Sequence, residues 1–385
     1  MRRPLRGTLA AAAGLLSTGA LLTACGEDET GELTDAPAEA TTSAASETGG
    51  DTERAPASVQ DIPSFAEADL ASMGEQIGET WSVGMAGASA MSVAEYEGEP
   101  VVLSGTRDGA VEIYGLDSGE QVAAPFAEHE GAVSDLHVAE VAGRTVVVSV
   151  EVGLAMVWDL DSGELLGELD LGHDYDITTV TEYEGRPVFV NATKEIVVTD
   201  LETLEVVEHY VYDLGMAAGQ GDVIDLDGTS VFVGANVVGG EYGVGAWDLA
   251  DGSALHQYPM YEHADRSVSE FAVGYLGETV LVVSGDFGGE TVAWDVGENR
   301  EYGPAVDIDG STVRGLAVVE LRGTLVGVVG TLDRTMAFWD IASGEMLLET
   351  DAPGLGFEHL AVAELDGRPV LVTAGSGEIT RFWLG

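Results

Sequence analysis

Cysteine is almost missing from this sequence: Cys25 is the only one in 385 residues. That excludes a disulfide framework and any zinc site built on paired cysteines. Basic charge is scarce as well. Fifteen Lys plus Arg face 68 Asp plus Glu, a formal net charge of −53, and Lys194 is the only lysine. A field of that sign repels nucleic acid, whose phosphates need a basic patch, and disfavours flat docking on anionic lipid. Beyond the N-terminal segment, no stretch approaches the ~18–20 apolar residues of a membrane-spanning helix. What remains is a chain with 45% hydrophobic residues, enough for a large core or an array of repeats.

The N-terminus reads as a targeting segment. "MRRPLR" is a positive n-region, and "GTLAAAAGLLSTGALLTA" is an apolar stretch of small residues and leucines. It ends at Leu22-Thr23-Ala24-Cys25, which resembles the bacterial lipoprotein lipobox. The resemblance implies cleavage before Cys25, lipid (palmitate included) on its thiol and amine, and a mature protein anchored to the cell membrane on its extracytoplasmic side. Residues 26–60 carry nine acids and one arginine, Arg54, with Leu33 and Val59 the only Val, Ile, Leu or Phe. Such a segment buries too little apolar surface to offset its ordering entropy, so disorder is expected over a span of roughly 30–35 Å. The expected organisation is therefore a signal peptide (1–24), a lipidated cysteine with an acidic linker (25–62), and one folded domain (63–385). Within "SFAEADLASM" (64–73), Ser64 and Glu67 have the spacing of a helix capping box, which predicts a short helix.

From about residue 75 the sequence repeats. Trp-Asp occurs at Trp158-Asp159, Trp247-Asp248, Trp294-Asp295 and Trp339-Asp340, with degenerate versions at Tyr114, Thr199 and Trp383. Successive spacings are 44, 41, 48, 47, 45 and 44 residues. A second ruler agrees: turn glycines precede a β-rich run at Gly98, Gly143, Gly185, Gly228, Gly277, Gly323 and Gly367. A period in the forties with four short strands per unit predicts an all-β, seven-bladed propeller. In the first unit "SVAEY" is strand a, Glu97-Gly98 a two-residue hairpin turn, "PVVLSG" strand b, "AVEIYGL" strand c and "EQVAAPF" strand d. The b strands are nearly continuous apolar runs ("TVVVSV", "TVLVVSG"), as expected of strands covered on both faces. The last unit stops after strand c, while "MGEQIGETW" (73–81) matches "SGEQVAAPF" (118–126) position for position. Residues 75–82 are thus expected to supply the missing strand d and close the ring.

These Trp-Asp pairs, with occasional histidines before strand a (His129, His173, His263), resemble WD40 repeats over residues 75–385, about four-fifths of the chain. The family's best-formed blades carry a His–Ser/Thr–Asp–Trp hydrogen-bonded tetrad. Blade 5 comes nearest, with His263, Ser284, Asp286 and Trp294. Blade 2 offers His129, Ser149 and Trp158 but has Val152 where Asp is expected. Blade 1 has Ser104 and Asp108 with Tyr114 in place of Trp, and blade 6 has Asp333 and Trp339 without the His. Trp158, Trp247, Trp294, Trp339 and Trp383 are accordingly expected to be structural. Quinoprotein-like propellers, a rival resemblance, place a Trp after an Asp-x-x-Thr-Gly turn; here only Trp81 lies there and Phe126 stands in its place elsewhere.

Motifs of chemistry are missing. There is no HExxH, "AGSGE" (374–378) is not a nucleophile elbow, and "DVIDLDG" and "VDIDG" do not follow a twelve-residue calcium loop. With 68 acids, neighbouring carboxylates carry no catalytic weight. The sequence is therefore expected to encode a non-enzymatic scaffold without metal or cofactor, a monomer that binds protein partners and no nucleic acid. The resemblance implies binding on the face that carries the d–a and b–c loops. The alternative is a quinoprotein- or lactonase-like enzyme or small-molecule binder using the central channel. Apolar and aromatic residues in the longer loops of blades 4 and 5 (Met216, Tyr242, Met260, Tyr261 and Phe287) mark the expected binding patch.

Overall fold

The computed structural model describes residues 62–83, 87–172, 177–192, 195–211, 221–238, 241–258, 268–308, 310–352, 357–375 and 377–385. The chain divides into Met1–Thr52 and Glu53–Gly385, and every described residue belongs to the second unit. Cys25, the signal peptide and the linker through residue 61 lie outside the described residues, as do His173, Lys194, Met216, Met260, Tyr261 and His263.

Seven antiparallel sheets follow one another along the chain as a seven-bladed β-propeller. The a strands are Ala88–Tyr96, Asp135–Val141, Ile177–Tyr183, Gly221–Leu226, Val268–Leu276, Val313–Leu321 and His359–Leu365. They pack against one another around the ring, blade 4 meeting blade 5 through its b strand. Each a strand turns into its b strand over two residues. In six blades both turn residues have positive φ, as at Glu97-Gly98 (53° and 83°) and Asp366-Gly367 (53° and 77°). That is the twist a right-handed hairpin requires, and it places glycine second. Blade 5 reverses the order, with Gly277 first.

The core lies between blades. One cluster joins Val101, Leu103 and Ile113 of blade 1 to Val147, Met156 and Trp158 of blade 2, and similar clusters recur around the ring. The b strands sit within it: Val146, Val147 and Val148 have no exposed surface, which explains their unbroken apolar runs.

Closure follows the expected route. Trp81–Ser82 pairs antiparallel with Glu378–Trp383, with Trp81 opposite Ile379 and Ser82 opposite Glu378. Backbone bonds extend the pairing from Gly74 N to Trp383 O (2.9 Å) and from Ile77 N to Arg381 O (2.8 Å). Two details differ from the sequence expectation. The helix expected over 64–73 shrinks to a 3-10 turn, Leu70–Ser72, capped by Asp69 rather than Ser64. Ser64–Phe65 instead forms a short parallel strand on the a strand of blade 6, because that edge offers the backbone its partners directly. Nor is "EQVAAPF" a regular strand d. Only two bridges, Val111 to Phe126 and Tyr114 to Gln121, join it to blade 1, and Pro125 lacks the N–H a longer ladder needs.

Candidate functional site

One rim of the propeller, here the upper rim, gathers the starts of the a strands and the b–c turns. The a–b and c–d turns form the lower rim. The lower rim explains the repeated Trp-Asp. The Trp packs: Trp158, Trp247, Trp294 and Trp339 are all buried, and Trp383 is partly buried beneath the Arg368 guanidinium, 3.7 Å from its ring centroid. The Asp anchors the next turn. Asp159 Oδ1 accepts from Ser162 N (2.9 Å), Asp200 Oδ1 from Thr203 N (2.9 Å), and Asp340 Oδ1 from Ala342 N (2.9 Å). Arginines of the same rim engage the Asp carboxylates, Arg300 with Asp295 at 3.1 Å and Arg144 with Asp159 at 3.8 Å. The hydrogen bonds from Ser162, helped by Arg144, hold Asp159 below the usual carboxylate range.

At the upper rim a buried relay ties the d–a loop to blade 2. His129 Nε2 lies 2.7 Å from Ser149 Oγ, and Trp158 Nε1 donates to the same Oγ at 2.9 Å. Glu151 stands where the sequence lacks the expected Asp, its Oε1 3.7 Å from His129 Nδ1. Burial lowers the pKa of His129 against the opposing pull of Glu151. In blade 5 Ser284, Asp286 and Trp294 are fully buried, and Asp286 Oδ1 accepts from Gly288 N (2.7 Å) and Glu290 N (2.8 Å). In blade 1 the equivalent Ser104 Oγ is buried without a hydrogen-bond partner among the described residues.

The starts of the a strands bring together polar residues that sequence reasoning missed. Asp135 Oδ2 accepts from Thr178 Oγ1 (2.7 Å) and faces His137 Nε2 at 3.1 Å, joining blades 2 and 3. Thr179 Oγ1 donates to Asp222 Oδ1 at 2.7 Å, joining blades 3 and 4. Burial works against the charges of Asp135 and His137, but their mutual attraction and the hydrogen bonds around them win. Asp135 falls to about 2 and His137 rises. For Asp222 burial wins over the bonds from Thr179 and Val223, and its pKa is pushed up to about 6. His359, at the start of the blade 7 a strand, is lowered by burial. Among the described residues no group of three or more His, Cys, Asp or Glu is placed to hold a metal ion.

Of the expected binding patch, Tyr242 lies within the c strand of blade 4, Glu241–Asp248, rather than in a loop. The blade 4 hairpin is extended by Val237 opposite Tyr242 and Val238 opposite Glu241, residue types that favour strands. Phe287 projects from the b–c turn of blade 5 and is 53% exposed. The neighbouring b–c turn carries Leu332, 56% exposed, which the sequence reading passed over. Thr312 links the two turns: its Oγ1 donates to Phe287 O (3.0 Å), and its carbonyl accepts from Leu332 N (2.8 Å). A groove of about 370 Å³ lies elsewhere, between Pro125–Phe126 and the Asp161–Gly163 turn. Its aromatic floor, Phe126 stacked on Trp158 at 5.0 Å, is buried and presents little ring surface to a ligand.

No protein-family model matches the chain, and no curated protein does. Among solved structures it is similar to the computationally designed Ika8 protein, in its crystal packing No. 1 in P63. The TM-score is 0.56 at 18% sequence identity, over 79% of this chain and 98% of that one. At that identity the likeness is one of fold, and a fold of this kind fixes no function.

Proposed function

We propose that the chain is a WD40-like propeller carried on a lipid anchor at Cys25 outside the cell, where it serves as a non-enzymatic scaffold for protein partners. The observation that carries this reading is the pair of large apolar tips, Phe287 and Leu332, held side by side on the upper rim by Thr312. Exposed apolar side chains on adjacent turns cost solubility and are typical of a docking surface. Ile62 N donates to Tyr275 O, at the lower-rim end of the blade 5 a strand, so the described residues begin on the rim opposite the proposed face.

Two measurements test the reading. Cys25→Ala should move the protein from the membrane pellet to the soluble extracytoplasmic fraction; an unchanged pellet means lipid is not the anchor. Capture of partners by the anchored protein should be lost in Phe287→Ser with Leu332→Ser at an unchanged unfolding midpoint. A second reading, a small-molecule binder or enzyme using the central channel, draws on the Asp135–His137–Thr178 network and Asp222 at the channel wall. It requires a bound metal or quinone, or a ligand lost on Asp222→Asn, in the purified protein.

A further inference from the structure

Most of the described arginines of this acidic domain are engaged by their own chain. Arg144, Arg186 and Arg300 meet aspartates of the lower rim, Arg107 lies 3.7 Å from Glu358, and Arg368 bonds Ser72. Arg314 and Arg334 differ. Both are exposed, and among the described residues neither guanidinium has an ion-pair or hydrogen-bond partner. Arg322, also exposed and unengaged, sits on the lower rim. The backbones of Arg314 and Arg334 both border the b–c turn of blade 6: Arg314 follows Val313, which pairs with Thr331, and Arg334 N donates to Thr331 O. Arg314 follows the linking Thr312 by two residues, and Arg334 follows the apolar tip Leu332 by two.

The backbone of Arg334 adds a second, independent sign. In the b–c turns of blades 1 and 5 the fourth residue is Gly109 or Gly289, at φ 89° and 90°. The turn hydrogen bonds match: Gly109 N donates to Thr106 O, and Arg334 N to Thr331 O. Arg334 occupies that left-handed position at φ 71°. A side chain there costs backbone strain that the glycines of blades 1 and 5 avoid. Nothing in the described fold uses the Arg334 guanidinium.

We propose that the blade 5–6 patch takes an acidic protein segment with an exposed aliphatic or aromatic side chain, an inference that rests on the scaffold reading above. The apolar anchor seats between Phe287 and Leu332, and carboxylates on either side meet Arg314 and Arg334. Asp333 shares the turn and offsets part of the positive charge of the two guanidiniums. Two unengaged guanidiniums on a protein with 68 acidic residues give a negatively charged partner a landing point, and the surrounding field restricts it to one place. An anionic membrane lacks a comparable fit, because the same field repels an extended charged plane.

The test is selection of a random dodecamer display library against the full lipidated protein in detergent, with vesicles of anionic phospholipid run in parallel. Peptides that combine Asp or Glu with Leu, Phe or Trp should be enriched. Arg314→Gln with Arg334→Gly should weaken their binding by about tenfold or more, with steep salt dependence, at an unchanged or higher unfolding midpoint. Enrichment of basic or neutral peptides, no enrichment, equal binding by the arginine variant, or preferential binding to the vesicles overturns the proposal. If native partner capture then survives the arginine variant but not Phe287→Ser with Leu332→Ser, the scaffold reading stands and only the acidic-segment inference fails.

Discussion

Arg381 Nη1 donates to the carbonyl oxygens of both Leu116 and Asp117 at 2.6 Å, joining the last repeat to the c–d turn of the first across more than 260 residues of sequence. Its guanidinium also lies over the Trp81 ring, 4.9 Å from the centroid, so one side chain touches the N-terminal closing strand, blade 7 and blade 1 together. Burial lowers its pKa and Asp117 opposes that shift.

Arg381→Met should therefore destabilise the propeller by about 2–4 kcal/mol, since it strands two carbonyls and removes the cap on Trp81. Arg381→Lys should recover little, because an ammonium cannot reproduce the planar fork that stacks and donates at once. Denaturant unfolding with an unchanged midpoint for Arg381→Met would remove the seam from this account.

Truncation tests the closing strand itself. Deleting residues 26–60, whose composition predicts no packing, should leave the unfolding midpoint nearly unchanged. Deleting 26–82 removes the pairing of Trp81–Ser82 and the strap of Ile62–Phe65 on blades 5 and 6. Blade 7 then exposes an edge, and a loss of more than about 4 kcal/mol or outright aggregation is expected. Equal midpoints for the two truncations would show that the ring closes without these residues.

The blades were legible in the sequence because each is a local object. A Trp-Asp followed by its turn, or a glycine that must take positive φ, leaves its mark within ten residues of chain. The match of 73–81 to 118–126 was legible for the same reason, since a strand d looks alike wherever it is spliced. What joins neighbouring blades was not. Arg381 reads as one more charged residue until Leu116 is known to lie against it. Thr178 and Thr179 read as ordinary strand threonines, although they reach opposite ways to Asp135 and Asp222. The proposed patch was half legible. Phe287 announced itself by type, but Leu332 sits in a short turn that sequence length alone did not mark, and Tyr242 was drawn into a longer hairpin by the β-branched residues opposite it.

Asp222 predicts a pH dependence. Its folded pKa, about 6, lies above the unfolded value of 3.8, so the folded state holds the proton more tightly. The resulting stabilisation is present below the unfolded value and lost as pH rises through about 6. Asp222→Asn, which keeps an acceptor for Thr179 Oγ1, should raise stability by about 1–3 kcal/mol at pH 7.5 and change it little at pH 3.5. His137, with a raised pKa, acts in the same direction, its stabilisation lost as pH rises through its folded value, while His129 and His359, both lowered, oppose it below 6.5. A loss for Asp222→Asn at pH 7.5 would mean the carboxylate is needed ionised.

Two serines at the same place in their blades should answer one substitution with opposite signs. Ser149 and Ser104 are both fully buried, each the sixth residue of its b strand. Ser149 Oγ is shared by His129 Nε2 at 2.7 Å and Trp158 Nε1 at 2.9 Å. Removing it leaves the indole N–H of Trp158 and a ring nitrogen of His129 without their partner, where water does not reach. Ser149→Ala should cost about 2–3 kcal/mol. Ser104 Oγ has no hydrogen-bond partner among the described residues, so its hydroxyl is desolvated for no return. Ser104→Ala removes that penalty and leaves almost no cavity, and it should be neutral or stabilise by about 1 kcal/mol. Urea unfolding of both variants, with m-values unchanged, decides the matter. A comparable loss in each would mean that the blade 1 hydroxyl has found a partner, a bound water included, and that the hydrogen-bonded relay of blade 2 is not what distinguishes the two positions.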